Sequence, residues 1–326
     1  MSSTEEASAS FQPVPEIPDY EFPANAKLGE GSFGEVWYGI YKGDQPRAVK
    51  VFKPGMMRDE LWRSEYEKLK ALDEPPGIVT LYDRGETRDG LPYVAMRLMA
   101  EESGDGHWRG RTLMERIGAG DLDAETRWRL VFEIAEVLAF MHRQNVYHCD
   151  VKPANVLLSA GEEPRPVLCD FGQSIGDGYT PESATGTFLY ASPEQLRREE
   201  GSIASWDVYS FGVTAWYLLT GDYPRLSQIA EDMKNQDAAT FLQSTLNSLS
   251  LNTATMGVSL DRELIPKIMV EAIEREHELT IPPAQKESKF REEFEVVARC
   301  LSLKGDQPPR FENMSEVKDA FDAVAR

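Results

Sequence analysis

The segment Tyr147-His148-Cys149-Asp150-Val151-Lys152-Pro153-Ala154-Asn155 runs into the apolar stretch Val156-Leu157-Leu158, and Asp170-Phe171-Gly172 follows about 20 residues after Asp150. Together they hold two carboxylates, an ammonium and a carboxamide in two loops. Asp and Asn supply the hard oxygen donors that magnesium takes, and a lysine can face phosphate. A carboxylate can accept the proton of a hydroxyl. That set suits phosphoryl transfer. Either motif alone is also ordinary turn chemistry, since Asp, Asn and Pro dominate turns. In this order and at this separation, the two together are specific.

The preceding residues supply further candidates. Gly29-Glu30-Gly31-Ser32-Phe33-Gly34-Glu35-Val36 is a glycine cluster whose backbone amides could approach phosphate closely, though a hairpin turn reads equally well. A strand follows the cluster where dinucleotide binding requires a helix. The alternation of Val36, Tyr38 and Ile40 predicts that strand, and the next carries Ala48, Lys50 and Phe52 on one face. Glu65 falls within the apolar stripe of Leu61, Leu69 and Leu72 on a helix expected over 57–72. A carboxylate there needs a cation, and Lys50 is a plausible partner; a structural ion pair or a Glu65 at the stripe's edge are the alternatives.

Strands are expected around Ile78–Tyr82 and Tyr93–Met96, which makes the first lobe mostly antiparallel sheet with one helix. The chain then turns helical. The spacing of Trp128, Val131, Phe132, Ala135, Leu138 and Ala139 predicts a core helix over 126–143, and another apolar helix is expected over 206–220. Short strands at Val156–Leu158 and Val167–Cys169 bracket the two loops. Helices near 291–302 and 315–325 close the chain, and 225–290 is less legible.

Composition excludes several classes. The 326 residues carry a formal net charge of −20, which disfavours nucleic acid and anionic membrane surfaces. The longest apolar run, roughly Val208 to Leu219, is too short to span a bilayer. Three cysteines, an odd number, read as reduced thiols in a cytoplasmic setting. Residues 1–20, rich in Ser, Glu and Pro, are expected to form a disordered or loosely docked tail.

The chain resembles the eukaryotic-type Ser/Thr protein kinases over about residues 22–323. The resemblance rests on the glycine loop 29–36, Ala48-Val49-Lys50, Glu65, the loop 148–155, Asp170-Phe171-Gly172, Gly186-Thr187, Ala191-Ser192-Pro193-Glu194, Asp207 and Arg310. It implies an α+β bilobal fold, with an N-lobe of about 21–96, a hinge at 97–99 and a helical C-lobe of about 100–326. It also implies ATP and Mg2+, and transfer of the γ-phosphoryl group to Ser/Thr hydroxyls of protein substrates.

By that resemblance, Gly29, Gly31 and Gly34 cover the phosphates, while Lys50 binds them and pairs with Glu65. Asp150 takes the hydroxyl proton, Lys152 neutralises charge, and Asn155 and Asp170 hold magnesium. Thr187 contacts Asp150 or Lys152 and helps form the substrate pocket. Met96 gates the adenine pocket, Arg97–Met99 form the hinge, and Val36, Ala48 and Leu157 sandwich the adenine. Glu194 pairs with Arg310, and Asp207 hydrogen-bonds the loop backbone, or is simply a first-turn carboxylate. Leu69, Leu81, His148 and Phe171 stack into an apolar column, making His148 a packed histidine.

Departures from the family pattern matter. Cys149 stands where the family usually has an arginine that pairs with a phosphorylated residue of the activation segment. Activity is therefore expected not to depend strictly on phosphorylating 173–191, where Thr180, Ser183 and Thr185 are candidate sites. Cys169, beside Asp170, is either a small buried residue or a reactive thiol. The enlarged 225–290 region is a docking surface or extended loops. A pseudokinase scaffold predicts a lost ligand, yet Lys50, Asp150, Asn155 and Asp170 are all present. A small-molecule phosphotransferase is disfavoured by the 191–194 platform.

Overall fold

The computed structural model describes residues 14–31, 34–54, 66–67, 69–70, 75–102, 108–171, 187–199, 203–235 and 264–325. They divide into two compact units, with boundaries after residue 57, between 80 and 81, and between 109 and 110.

The first unit is an antiparallel sheet. Its strands are β1 (Tyr20–Glu21), β2 (Lys27–Glu30), β3 (Gly34–Tyr41), β4 (Gln45–Phe52), β5 (Leu81–Glu86) and β6 (Pro92–Arg97). They lie in the order β1-β3-β4-β6-β5, with β2 also paired to β3, while β7 (Ala100–Glu102) and β8 (Trp108–Gly110) form a separate two-stranded sheet. Alternation places Trp37, Val49, Val51, Tyr93 and Ala95 in one core cluster, joined by Ile17, Tyr20 and Ala26. Residues 14–20, within the stretch read as a tail, are thus docked at Ile17 and Tyr20, and Arg88 N–H donates to Glu16 O at 2.8 Å. Residues 1–13 lie outside the described residues.

The apolar run at 78–82 suggests a strand, but β5 begins at Leu81 and continues through polar Asp83, Arg84 and Glu86. Ile78 and Val79 are buried in the other unit, where Ile78 bridges Leu168 and Val79 N–H donates to Leu168 O at 2.9 Å. Their hydrophobicity reflects that burial and not a place in the sheet.

In the second unit, α1 (Leu113–Ala119) opens on a Thr112/Glu115 capping box, and α2 (Ala124–Arg143) is capped by Asp123. The hairpin β9 (Val156–Leu158) and β10 (Pro166–Leu168) carries the two signature loops at its ends. Short α3 (Pro193–Arg197) precedes α4 (Ile203–Thr220), which is buried over most of its circumference. Then come α5 (Ser227–Asn235), α6 (Leu264–Arg275), α7 (Pro283–Lys286), α8 (Arg291–Cys300) and α9 (Met314–Val324). Trp216 of α4 packs on Phe294 of α8 at 4.8 Å between ring centroids, and Phe211 on Phe321 of α9 at 6.4 Å. Such aromatic burial holds α4 in place as the post to which the loops are tied. Of the helix expected at 57–72, residues 66–67 and 69–70 are described and helical. Among the described residues, no helix is long and apolar enough to cross a membrane.

Candidate active site

Asp207, fully buried on α4, organises the loop before β9. Its Oδ2 accepts the His148 N–H and its Oδ1 the Cys149 N–H, each at 2.7 Å. Oδ2 also meets His142 Nε2 at 3.0 Å. His142 Nδ1 accepts the Met314 N–H at 3.1 Å, so the ring proton sits on Nε2 and is donated to Asp207. Asp207 is therefore a loop anchor and not a first-turn carboxylate. Its bonds hold Cys149 at φ +62, a left-handed conformation costing a non-glycine residue about 1–2 kcal/mol. Charge-assisted bonds of about 1.5–3 kcal/mol each outweigh that strain.

The loop gathers the predicted chemistry. Lys152 Nζ donates to Asp150 Oδ2 at 2.7 Å, and Asn155 Nδ2 donates to the same oxygen at 2.9 Å and to Asp150 O at 2.8 Å. Burial raises the Asp150 carboxyl pKa above its ordinary value; the Lys152 ammonium opposes the rise and the neighbouring Asp170 charge adds to it. Asn155 is tied to the second motif, because its carbonyl accepts the Cys169 N–H at 3.0 Å. Asp170, half-buried, also has a left-handed φ of +62.

His148 is packed, as expected. It is fully buried, its Nε2 donates to Cys169 O at 3.0 Å, and its ring lies 4.9 Å from that of Phe171. Cys169 is buried too, with Sγ 3.4 Å from Asn155 O. Glu194 pairs with Arg310 at 2.7 Å. Burial alone would raise the Glu194 carboxyl, but Arg310 overrides it and the pKa is lowered. Thr187 opens a 3-10 turn, Thr187–Leu189, and Leu157 is half-buried in β9.

In the first unit, Val36 faces Lys50 across β3 and β4, and Ala48 faces Met96 across β4 and β6. Lys50 is buried, 5.2 Å from the Phe52 ring centroid. Met99, just after β6, is half-buried. The glycines differ in kind. Among the described residues a Cβ on Gly29 or Gly31 would meet nothing within 4 Å, leaving room for a ligand. A Cβ on Gly34 would overlap Val51 O, so the close β3–β4 approach already requires that glycine. Glu65 and its proposed bond to Lys50, Gly172, and the segment 173–186 lie outside the described residues.

Two residues were not anticipated. His142 holds Asp207, and its signal was a polar side chain one helical turn from buried Leu138. Gln195 donates from Nε2 to Cys149 O at 2.8 Å. The spacing of Ser192 and Gln195 reads as a helix-capping pattern, which conceals this contact.

With this geometry in view, comparison with known proteins is decisive at the level of family. The protein kinase domain model matches residues 22–279, so the chain belongs to that family. Its relatives include serine/threonine-protein kinases. It is 36% identical over 217 residues to the serine/threonine-protein kinase dkf-2 of Caenorhabditis briggsae, covering 63% of this chain and 17% of that protein. Identity is 34% over 208 residues to PknJ of Mycobacterium tuberculosis, covering 60% and 33%. It is 34% over 216 residues to the mouse serine/threonine-protein kinase D3, covering 63% and 23%. The chain thus matches about a third or less of the length of these relatives.

Proposed function

We propose that the chain is a catalytically competent kinase domain, spanning 21–326 with its hinge at 97–99, that phosphorylates Ser/Thr hydroxyls of proteins from ATP. The observation that carries this is the buried Asp150 carboxylate, held by Lys152 and Asn155 in a loop pinned to Asp207.

Asp150 is oriented to take the proton of an incoming hydroxyl, and its raised pKa makes it a better base than an exposed Asp. Lys152, ion-paired with it, offers positive charge to the transferring group. Asn155 and Asp170 fit magnesium: the Asn155 amide nitrogen is committed to Asp150, which leaves Oδ1 as the amide's oxygen donor, and Asp170 adds a carboxylate. When bound, the metal neutralises charge on the β- and γ-phosphates.

Lys50, Gly29, Gly31, Gly34, Val36, Ala48, Met96, Met99 and Leu157 are assigned nucleotide contacts by the resemblance. Glu65 is assigned the Lys50 ion pair and Thr187 the substrate pocket. Cys149, 1% exposed, has neither the charge nor the access to meet a phosphate, which supports activity without strict activation-segment phosphorylation. Three buried, unbridged cysteines suit a reducing, cytoplasmic setting, and the net charge of −20 suits protein over nucleic-acid partners. Residues 225–290 are a candidate docking region.

The test is transfer from labelled ATP to a generic basic protein. Wild type should label serine or threonine, while Asp150→Ala and Lys50→Met should not. Equal labelling by all three would contradict the assignment.

A further inference from the structure

The peptide joining Cys149 to Asp150 is gripped at both polar ends. Its carbonyl oxygen accepts from Gln195 Nε2 at 2.8 Å, and its N–H donates to His148 Nδ1 at 3.3 Å. Gln195 and Cys149 are each 1% exposed and His148 is fully buried, so water does not compete for these groups. One peptide earlier, the Cys149 N–H is held by Asp207. Cys149 is left-handed, so these bonds hold a strained residue directly before Asp150.

Gln195 is itself fixed. Ser192 caps α3 by accepting the Gln195 N–H at 3.1 Å, Pro193 presets the first turn, and Glu194 is locked to Arg310. The Gln195 amide thus connects the platform helix to the backbone of the proposed base through a neutral bond.

We propose that Gln195 is a positioning residue for phosphoryl transfer: its side-chain amide clamps the Cys149 carbonyl and thereby sets Asp150. The inference rests on the kinase reading and deepens it. Cys149 cannot anchor the loop through its side chain to a phosphate, whereas its carbonyl is anchored to α3 by a bond indifferent to phosphorylation. A misplacement of about 1 Å at a reacting group costs on the order of a hundredfold in rate. Losing one of several restraints should cost about tenfold or more.

The experiment compares steady-state kinetics of Gln195→Met, Gln195→Glu and Asp123→Ala with wild type. Methionine keeps the length and volume but cannot donate; glutamate keeps the shape and presents acceptors to the carbonyl. Both should lower kcat about tenfold or more, with KM for ATP and for peptide within about twofold. Asp123→Ala removes the N-cap of α2, where Asp123 Oδ1 accepts the Thr126 N–H at 2.7 Å, and should lower Tm while keeping kcat. Wild-type kcat in Gln195→Met overturns the proposal, as does a kcat loss that follows Tm equally in Gln195→Met and Asp123→Ala. An inactive wild type would instead overturn the kinase reading. If Gln195→Met does not fold, hydrogen exchange on wild type decides: the Gln195 side-chain amide must exchange as slowly as the Cys149 backbone N–H, and fast exchange refutes the clamp.

Discussion

Asp207→Asn isolates one hydrogen bond in the support of the catalytic loop. Oδ2 accepts two bonds, from His148 N–H and His142 Nε2, while Oδ1 accepts one, from Cys149 N–H. The amide oxygen of asparagine will take the doubly bonded position, which leaves its NH2 facing the Cys149 N–H. The change removes a charge-assisted bond of about 1.5–3 kcal/mol and sets donor against donor in a site with no exposure. The total cost is about 2–4 kcal/mol, part of which is recovered if Cys149 relaxes from φ +62. Domains of this class have about 5–15 kcal/mol in total, so the variant should fold, with Tm lower by several °C. Relaxation at Cys149 displaces Asp150, so kcat should fall about tenfold or more with little change in KM for ATP. Calorimetry and steady-state kinetics measure both. A variant within 2 °C (roughly 1 kcal/mol) of wild type and within about twofold in kcat would refute the anchoring argument.

Asp150→Asn should stabilise the protein at neutral pH. The folded carboxyl pKa lies above its ordinary 3.8, so this group favours folding at pH below that value and loses that contribution as pH rises through the folded pKa. The Tm gain should shrink toward zero in acid, and a Tm loss at pH 7 would contradict the burial argument. Gly212→Ala sets helix propensity, worth about 1 kcal/mol, against a Cβ that would lie 2.8 Å from Cys300 Cβ and 3.0 Å from Leu301 Cδ2. Overpacking of about 1–3 kcal/mol should win and lower the denaturant midpoint; an unchanged or higher midpoint would show that α8 yields. Alanine at Thr180, Ser183 and Thr185 together should leave most of the catalytic rate, because Cys149 offers no phosphate partner. A fall to background in the same kinetic assay would defeat that reasoning.

The site was legible where chemistry demands particular residue types. Asp150, Lys152 and Asn155 meet within one short loop, so their spacing carries their contacts directly. The helices 126–143 and 206–220 were legible because their apolar faces are wide, and α2 and α4 match them within about two residues at each end save the start of α4. The β5 strand was not, because its half-exposed residues lack alternation while the adjacent Ile78 and Val79 are apolar for another reason. Contacts made by polar side chains across long separations leave no periodic trace. Gln195 to Cys149 spans 46 residues and His142 to Met314 spans 172, and both residues have ordinary local readings. Glu194 and Arg310 were paired through family resemblance, not through spacing.

The central claim is that Asp150 acts in the transfer step and not in nucleotide binding. It is tested most directly by single-turnover transfer and ATP affinity measured together on wild type and Asp150→Asn. Loss of a general base typically costs about a hundredfold to ten-thousandfold. The account predicts a transfer rate reduced by about that factor, with ATP dissociation constants within about threefold of each other. Transfer at the wild-type rate by Asp150→Asn would contradict it.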